Sequence, residues 1–158
     1  MVIFMKEKLL ISACLIGENV KYNGGSNFNK DVELLKKYSD FILVCPEVDG
    51  GLPIPRVPSE RLDNKVINKE GKDVTNEFYN GANKSLNLVK SLNIKYALLK
   101  EKSPSCGKTS YDGTFTHNLI NRPGVLVELL LKENVKVYGE SEINNLIDEL
   151  IKNQCINY

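Results

Sequence analysis

The sequence has no tryptophan, one histidine and two methionines, and its 21 basic residues are balanced by 20 acidic ones for a net charge of +1. That balance excludes the electrostatic footprint of a dedicated long nucleic-acid or membrane binder, and it suits a small or singly phosphorylated substrate better. No apolar stretch approaches the roughly 20 residues that span a bilayer, so no membrane association is expected. The cysteines lack the CxxC pairs of structural zinc sites. No flavin or nicotinamide motif is present, and Gly107-Lys108-Thr109 lacks the spacing of a phosphate-binding Walker loop. The lone histidine, His117, reads as a loop or packing residue rather than a ligand or an acid.

Internal repeats and low-complexity linkers are missing too, and 158 residues with 42% apolar and 26% charged content read as one globular domain over 1–158. Lys6-Glu7-Lys8 followed by Leu9 to Cys14 imitates a lipoprotein signal. Its apolar core is shorter than the roughly 7–15 residues of a signal peptide, and the apolar character continues through Leu15-Ile16. A cytoplasmic location is therefore expected, where thiols stay reduced and cysteines more often bind metals or catalyse than pair.

The chain reads as repeated strand–helix units. Strands are expected at about Lys8–Ala13, Asp40–Cys45, Ile94–Lys100 and Val135–Tyr138, the second as a run buried on both faces. Helices are expected at Lys30–Tyr38 with Asn29 as cap, from a Thr75 cap to about Ser91, from Pro123 to Glu133, and from Ser141 to about Lys152. Between them lie a glycine- and asparagine-rich loop, Gly17 to Asn29, and a turn-rich loop, Ser103 to Arg122. The proline-rich stretch from Pro46 to Asp73 has the length of a lid or binding loop, with a small hairpin over Lys65–Val74 turning at Glu70-Gly71. The fold class is α/β: a three-layer Rossmann-like or flavodoxin-like domain on a mostly parallel sheet of about four strands.

Three of the four cysteines follow predicted strands: Cys14, Cys45 and, a few residues on, Cys106. In open α/β sheets the ligand crevice lies outside the carboxyl ends of the strands, so these three can converge on a metal or iron–sulfur site with one open position. Spacing alone leaves open three buried, inert cysteines, which are common in cores. Cys155, placed after the last helix, reads as an incidental free thiol. Cys45-Pro46-Glu47 sets a carboxylate two residues from a candidate ligand, where Glu47 can act as a general base. Ser103-Pro104-Ser105-Cys106-Gly107 offers hydroxyls beside a thiolate and, at Gly107, a place where backbone can approach a ligand. Arg56 and Arg61 are candidates to meet a substrate phosphate or carboxylate.

Ser12-Ala13-Cys14-Leu15, Tyr22-Asn23-Gly24, the block from Cys45-Pro46-Glu47 to Arg56, Gly71-Lys72-Asp73-Val74-Thr75, Gly81-Ala82, Leu99 through Gly107, and Tyr111-Asp112-Gly113-Thr114-Phe115 together resemble the thiouracil desulfidase family over about residues 9–142. The resemblance implies a [4Fe–4S] cluster held by Cys14, Cys45 and Cys106 alone, with one iron open to the substrate's sulfur. It maps the catalytic glutamate onto Glu47 and the catalytic serine onto Ser103, with Ser105 as the second choice. Ser105, Arg56 and Gly107 are expected near the substrate. The chain departs from the family pattern at His117 and at Asn121-Arg122-Pro123-Gly124-Val125, so the resemblance constrains the chemistry more than the substrate preference.

The activity so implied is a non-redox hydrolysis of a thiopyrimidine, as thiouracil or thiouridine monophosphate. Glu47 would deprotonate water held with Ser103, and sulfur would leave as hydrosulfide on the open iron. The alternative from another class is a non-catalytic module whose cysteines hold a metal or redox-sensing cluster, or which binds a nucleotide. The expected partner is a small molecule. A homodimer suits a domain of this size.

Overall fold

The computed structural model describes residues 6–156, the last two by backbone alone. Its centre is a sheet of four parallel strands, β1 (Glu7–Ser12), β2 (Ser39–Val44), β5 (Tyr96–Leu99) and β8 (Lys136–Gly139), in the order β2-β1-β5-β8. Alternation along the strands explains the layers, because successive side chains point to opposite faces. Leu9 and Ile11 of β1 and Tyr96 and Leu98 of β5 pack with Val32, Leu35, Leu146 and Leu150 on one side. Leu10, Ala97, Leu99 and Val137 pack with Phe78, Ala82, Leu126 and Leu130 on the other. The three-layer parallel α/β reading holds, with flavodoxin-like winding.

The second strand lies at an edge of the sheet, not inside it, and Leu43 is 40% exposed. A continuous apolar run does not distinguish an edge from a centre, because the neighbour that covers it is distant in sequence. Lys30–Lys37 winds as a 3-10 helix, and the Asn29 side chain accepts from Asp31 N at 3.0 Å, as a cap should. The last helix, α4 (Ile143–Ile156), follows a 3-10 turn at Glu140–Glu142, and the backbone of Cys155 lies within it rather than beyond it. The side chain of Cys155 lies outside the described ones.

The stretch between β2 and the next long helix is built rather than loose. It holds α1 (Pro46–Asp49), then an antiparallel hairpin of β3 (Ser59–Leu62) and β4 (Lys65–Asn68). The hairpin thus turns at Asp63-Asn64, where Asp63 takes a φ of 53°. The expected turn at Glu70-Gly71 exists as a second bend, closed by a bridge between Ile67 and Asp73. Helix α2 (Thr75–Leu92) has Val74, not Thr75, at its cap position. Asp73 Oδ1 accepts from Thr75 N at 2.9 Å, and the Thr75 hydroxyl oxygen accepts from Val66 N.

A short antiparallel pair, β6 (Ser110–Tyr111) and β7 (Leu119–Ile120), escaped the sequence pattern because two-residue strands carry no periodicity. Helix α3 (Val125–Lys132) starts two residues after Pro123. There the N–H groups of Gly124, Val125 and Leu126 donate to the carbonyls of Gly107, Pro104 and Ser105 at 2.7, 2.9 and 2.9 Å. The unpaired donors of a helix start are thereby satisfied by the serine-rich loop, which fixes that loop's position. Among the described residues no helix is long and apolar enough to cross a membrane.

Candidate functional site

The strand order reverses between β1 and β5, and a crevice opens at their carboxyl ends. Ser12 Oγ accepts from Lys100 N at 2.9 Å and ties the two strand ends together. Cys14 follows β1, Cys45 follows β2 and Cys106 sits in the loop after β5, and all three line one cavity of about 500 Å³. That volume is ordinary for a small-molecule site. Among the described residues no three His, Cys, Asp or Glu side chains close on a point as a single metal ion requires. The three thiols share the lining of this one cavity.

Burial pushes all three thiols up from their usual range, Cys106 to about 12. The opposing influences are local: an Asn27 hydrogen bond and the nearby Lys100 at Cys14, and hydroxyls of Ser12 and Ser105 at Cys106. Charge on Cys14 and Cys45 would further raise Cys106, which marks the three sulfurs as electrostatic neighbours. Three mutually repelling, buried thiolates need a soft cation to form, and binding one releases their protons.

Glu47 owes its place to α1. Proline suits the first helical position, and Asp49 Oδ2 accepts from Cys45 N at 3.2 Å across the single turn. The turn rests on α2 through two glycines. A Cβ on Gly50 would stand 1.9 Å from Glu77 O, and one on Gly81 1.7 Å from Pro46 O. Glycine in mid-helix weakens α2, yet only glycine allows this approach. Glu47 is thereby held between two partners. Arg56 Nε donates to its Oε1 at 3.0 Å, and Ser105 Oγ donates to its Oε2 at 3.0 Å. Arg56 also donates through Nη2 to Val20 O at 2.9 Å, joining the glycine-rich loop to the same carboxylate.

The two serines are not equivalent. Ser103 Oγ accepts from the backbone N–H of Ser105 and of Cys106 at 3.2 and 3.1 Å, and lies 3.0 Å from Ser105 Oγ. Since Ser105 gives its one proton to Glu47, the bond between the serines uses the proton of Ser103. The chain of donors runs Ser103 to Ser105 to Glu47, with Ser105 only 1% exposed and Ser103 the more open to the cavity.

Other expected residues fall differently. Gly107 does not line the cavity; a Cβ there would lie 2.4 Å from Thr109 O and 2.8 Å from the N of Lys102 and Ser103, so its role is close packing within its own loop. Arg61 is also away from the cavity. It is 1% exposed and donates to Glu128 Oε2 at 2.7 Å and Pro123 O at 2.9 Å, bracing the hairpin against α3. A loop arginine and a buried strut look alike in sequence. His117 does line the cavity and meets Tyr111 edge-on, with ring centroids 5.2 Å apart. The residues missed in sequence are Ser12, Asn27, Lys100 and Glu60. Ser12 stood two residues from Cys14, but nothing in the pattern of the others pointed inward.

Comparison with known proteins matches residues 9–142 to the family described as 2-thiouracil desulfurase. The Bacillus subtilis (strain 168) protein YbbK, described as uncharacterized, is 33% identical over 150 residues, spanning 88% of this chain and 99% of its own. A solved structure of TudS, a [4Fe-4S]-dependent thiouracil desulfidase, is 39% identical with a TM-score of 0.85, covering 92% of this chain and 98% of that one.

Proposed function

Because this chain belongs to the 2-thiouracil desulfurase family, we propose that it is an iron–sulfur-dependent desulfidase that hydrolyses a thiolated pyrimidine to the oxo-pyrimidine. The observation that carries the reading is that the thiols of Cys14, Cys45 and Cys106 and the carboxylate of Glu47 face one cavity. The donor set fits a [4Fe–4S] cluster: thiolates are its usual ligands, and three cysteines line the one cavity while no fourth described cysteine does. When bound through these three cysteines, the cluster supplies one iron without a protein ligand, a soft Lewis acid matched to a thiocarbonyl sulfur.

The chain's own residues supply the proton handling. Arg56 fixes Glu47 at one oxygen, and the other oxygen takes a proton through Ser105. Ser103, at the open end of that chain, holds the attacking water, and Glu47 is the general base. Water oxygen replaces sulfur at the ring carbon, and sulfur departs as hydrosulfide. No electron donor is needed, because neither carbon nor sulfur changes oxidation state.

For the substrate, a pyrimidine nucleotide monophosphate is the finer proposal. Lys21, Lys69 and Lys102 line the cavity, and the ion pairs among the described residues engage none of them. A reducing compartment, the cytoplasm, suits thiols that must bind a cluster. The test is anaerobic cluster loading followed by assay of thiouracils and thiouridine monophosphate for sulfide and oxo-pyrimidine. Brown protein that releases both products is expected. A colourless zinc protein, or a loaded one that converts none of these compounds, would overturn the assignment in favour of a binding module.

A further inference from the structure

The β6–β7 pair and the loop that joins it form a flap whose Tyr111, Phe115 and His117 line the cavity. Its backbone is costly at Phe115 and His117, whose φ of 58° and 60° lie in a region that side-chain-bearing residues avoid, while Gly113 takes 92° freely. The strands at the two ends of the flap are two residues each, too short to impose that shape. Part of the restraint is internal, since Asp112 accepts from Thr114 N and Asn118 Nδ2 at 3.0 and 2.9 Å. The rest comes from outside the flap. Glu60 of β3 is 6% exposed, and its Oε1 accepts from Gly113 N at 3.1 Å and from Phe115 N at 3.0 Å. Gly113 lies so close to β3 that a Cβ would stand 2.9 Å from Arg61 O.

We propose that Glu60 is a positioning residue: its carboxylate grips two flap N–H groups and so holds the ring of Phe115 as a wall against which the substrate's pyrimidine lies. Hydrogen bonds to an ionised acceptor are the stronger kind, and two of them on one oxygen fix a turn where single contacts would not. Asp112, the neighbouring carboxylate, is engaged by Thr114 and Asn118 and not by the two N–H groups that Glu60 holds. An aromatic face near a flat heterocycle supplies apolar area and stacking without demanding a particular hydrogen-bond pattern. Glu60 thereby governs how tightly substrate is held rather than how fast it reacts. The consequence for turnover rests on the proposed desulfidase reading, while the grip on the flap does not.

The experiment pairs hydrogen exchange with kinetics on the full chain. In Glu60→Ala, exchange at the Gly113 and Phe115 amides should speed up about 10–100-fold, as expected for loss of hydrogen bonds to a charged group. Core amides of β1 and β5 should keep their protection. In cluster-loaded protein the KM for a thiopyrimidine should rise about tenfold with kcat changed less than threefold, the mark of lost uniform binding. Glu60→Gln, which keeps an acceptor oxygen, should restore most of both. Phe115→Ala should raise KM similarly, and the double variant should be no worse than Phe115→Ala alone. Should the alanine variant not fold, Glu60→Asp, which withdraws the carboxylate by one methylene, replaces it with the same expectations. Unchanged exchange at both amides, a loss confined to kcat, or multiplying effects of the two single variants would each overturn the proposal. If the wild-type protein converts no thiopyrimidine, the desulfidase reading falls, and exchange at Gly113 and Phe115 alone decides the role of Glu60.

Discussion

Glu47→Gln is the substitution that separates chemistry from architecture at this site. The amide keeps an oxygen for Arg56 Nε and can turn its NH2 toward Ser105, whose hydroxyl then accepts in place of donating. Geometry is therefore largely retained while the base is lost. General-base catalysis contributes about 10²–10⁴-fold, or about 3–5 kcal/mol of barrier at 1.36 kcal/mol per tenfold. A separate cost falls on stability. Arg56 and Glu47 have side chains only 6% and 16% exposed, so the variant strands a nearly buried guanidinium opposite a neutral amide. Arg56 retains its bond to Val20 O, and a penalty of about 1–3 kcal/mol follows, not the full cost of an orphaned charge. Against a typical stability of about 5–15 kcal/mol the protein remains folded. The assay is release of sulfide and oxo-pyrimidine from anaerobically loaded protein, with iron content and cluster absorbance measured on the same sample, and urea unfolding run in parallel. The expected result is a full complement of iron, a modest shift in the urea midpoint, and a rate lowered by at least a hundredfold. Turnover within threefold of wild type in a cluster-loaded variant would refute the assignment of Glu47 as base. A loss of iron in step with activity would make it a structural residue instead.

Four further outcomes follow from the same structure. Cys106→Ser should lose most of the cluster iron while Cys155→Ser keeps it; equal iron in the two would remove Cys106 from the ligand set. Gly81→Ala should destabilise by about 1–3 kcal/mol through overpacking, although alanine favours helix by about 1 kcal/mol, and a stabilised variant would contradict the close approach of α1 to α2. Arg61→Met should cost about 3 kcal/mol, the lower end for a broken buried pair because Glu128 is 32% exposed and can rehydrate, and urea midpoints check it. Hydrogen bonds from Thr75 hold the Asp73 carboxyl below its usual range, so its contribution is present above the ordinary carboxylate pKa and fades as pH falls through the lowered one. The stability gap between wild type and Asp73→Asn should therefore close in acid, and a gap independent of pH would show that the charge at Asp73 does not act on α2.

Sequence patterning revealed what is repeated or local. Continuous apolar runs in Leu9-Leu10-Ile11 and Tyr96-Ala97-Leu98-Leu99 announce buried parallel strands, and three cysteines just past strand ends announce a crevice. Asn29 revealed its cap because the partner lies two residues away. Reading failed where the partner is distant. The turn at Glu70-Gly71 is legible, but the pairing of Ser59–Leu62 with Lys65–Asn68 is not, because the first strand alternates too briefly to declare itself. Arg61 and Gly107 looked like ligand contacts, yet their partners at Glu128 and Pro123 for the one, and within a folded-back loop for the other, made them structural.

By itself, then, the sequence determined the strand–helix alternation, the kind of donor atoms at the site and the family they belong to, since these depend on residue identity and short spacing. Tertiary structure alone decided which serine touches Glu47, that Arg56 rather than Arg61 reaches it, and that Glu60 holds the flap. Each of those facts depends on a contact between residues 9 to 58 positions apart, and in Arg61's case 67. Such contacts are set by how the layers pack, and a linear pattern carries no record of the direction in which a side chain points after the chain has crossed the sheet.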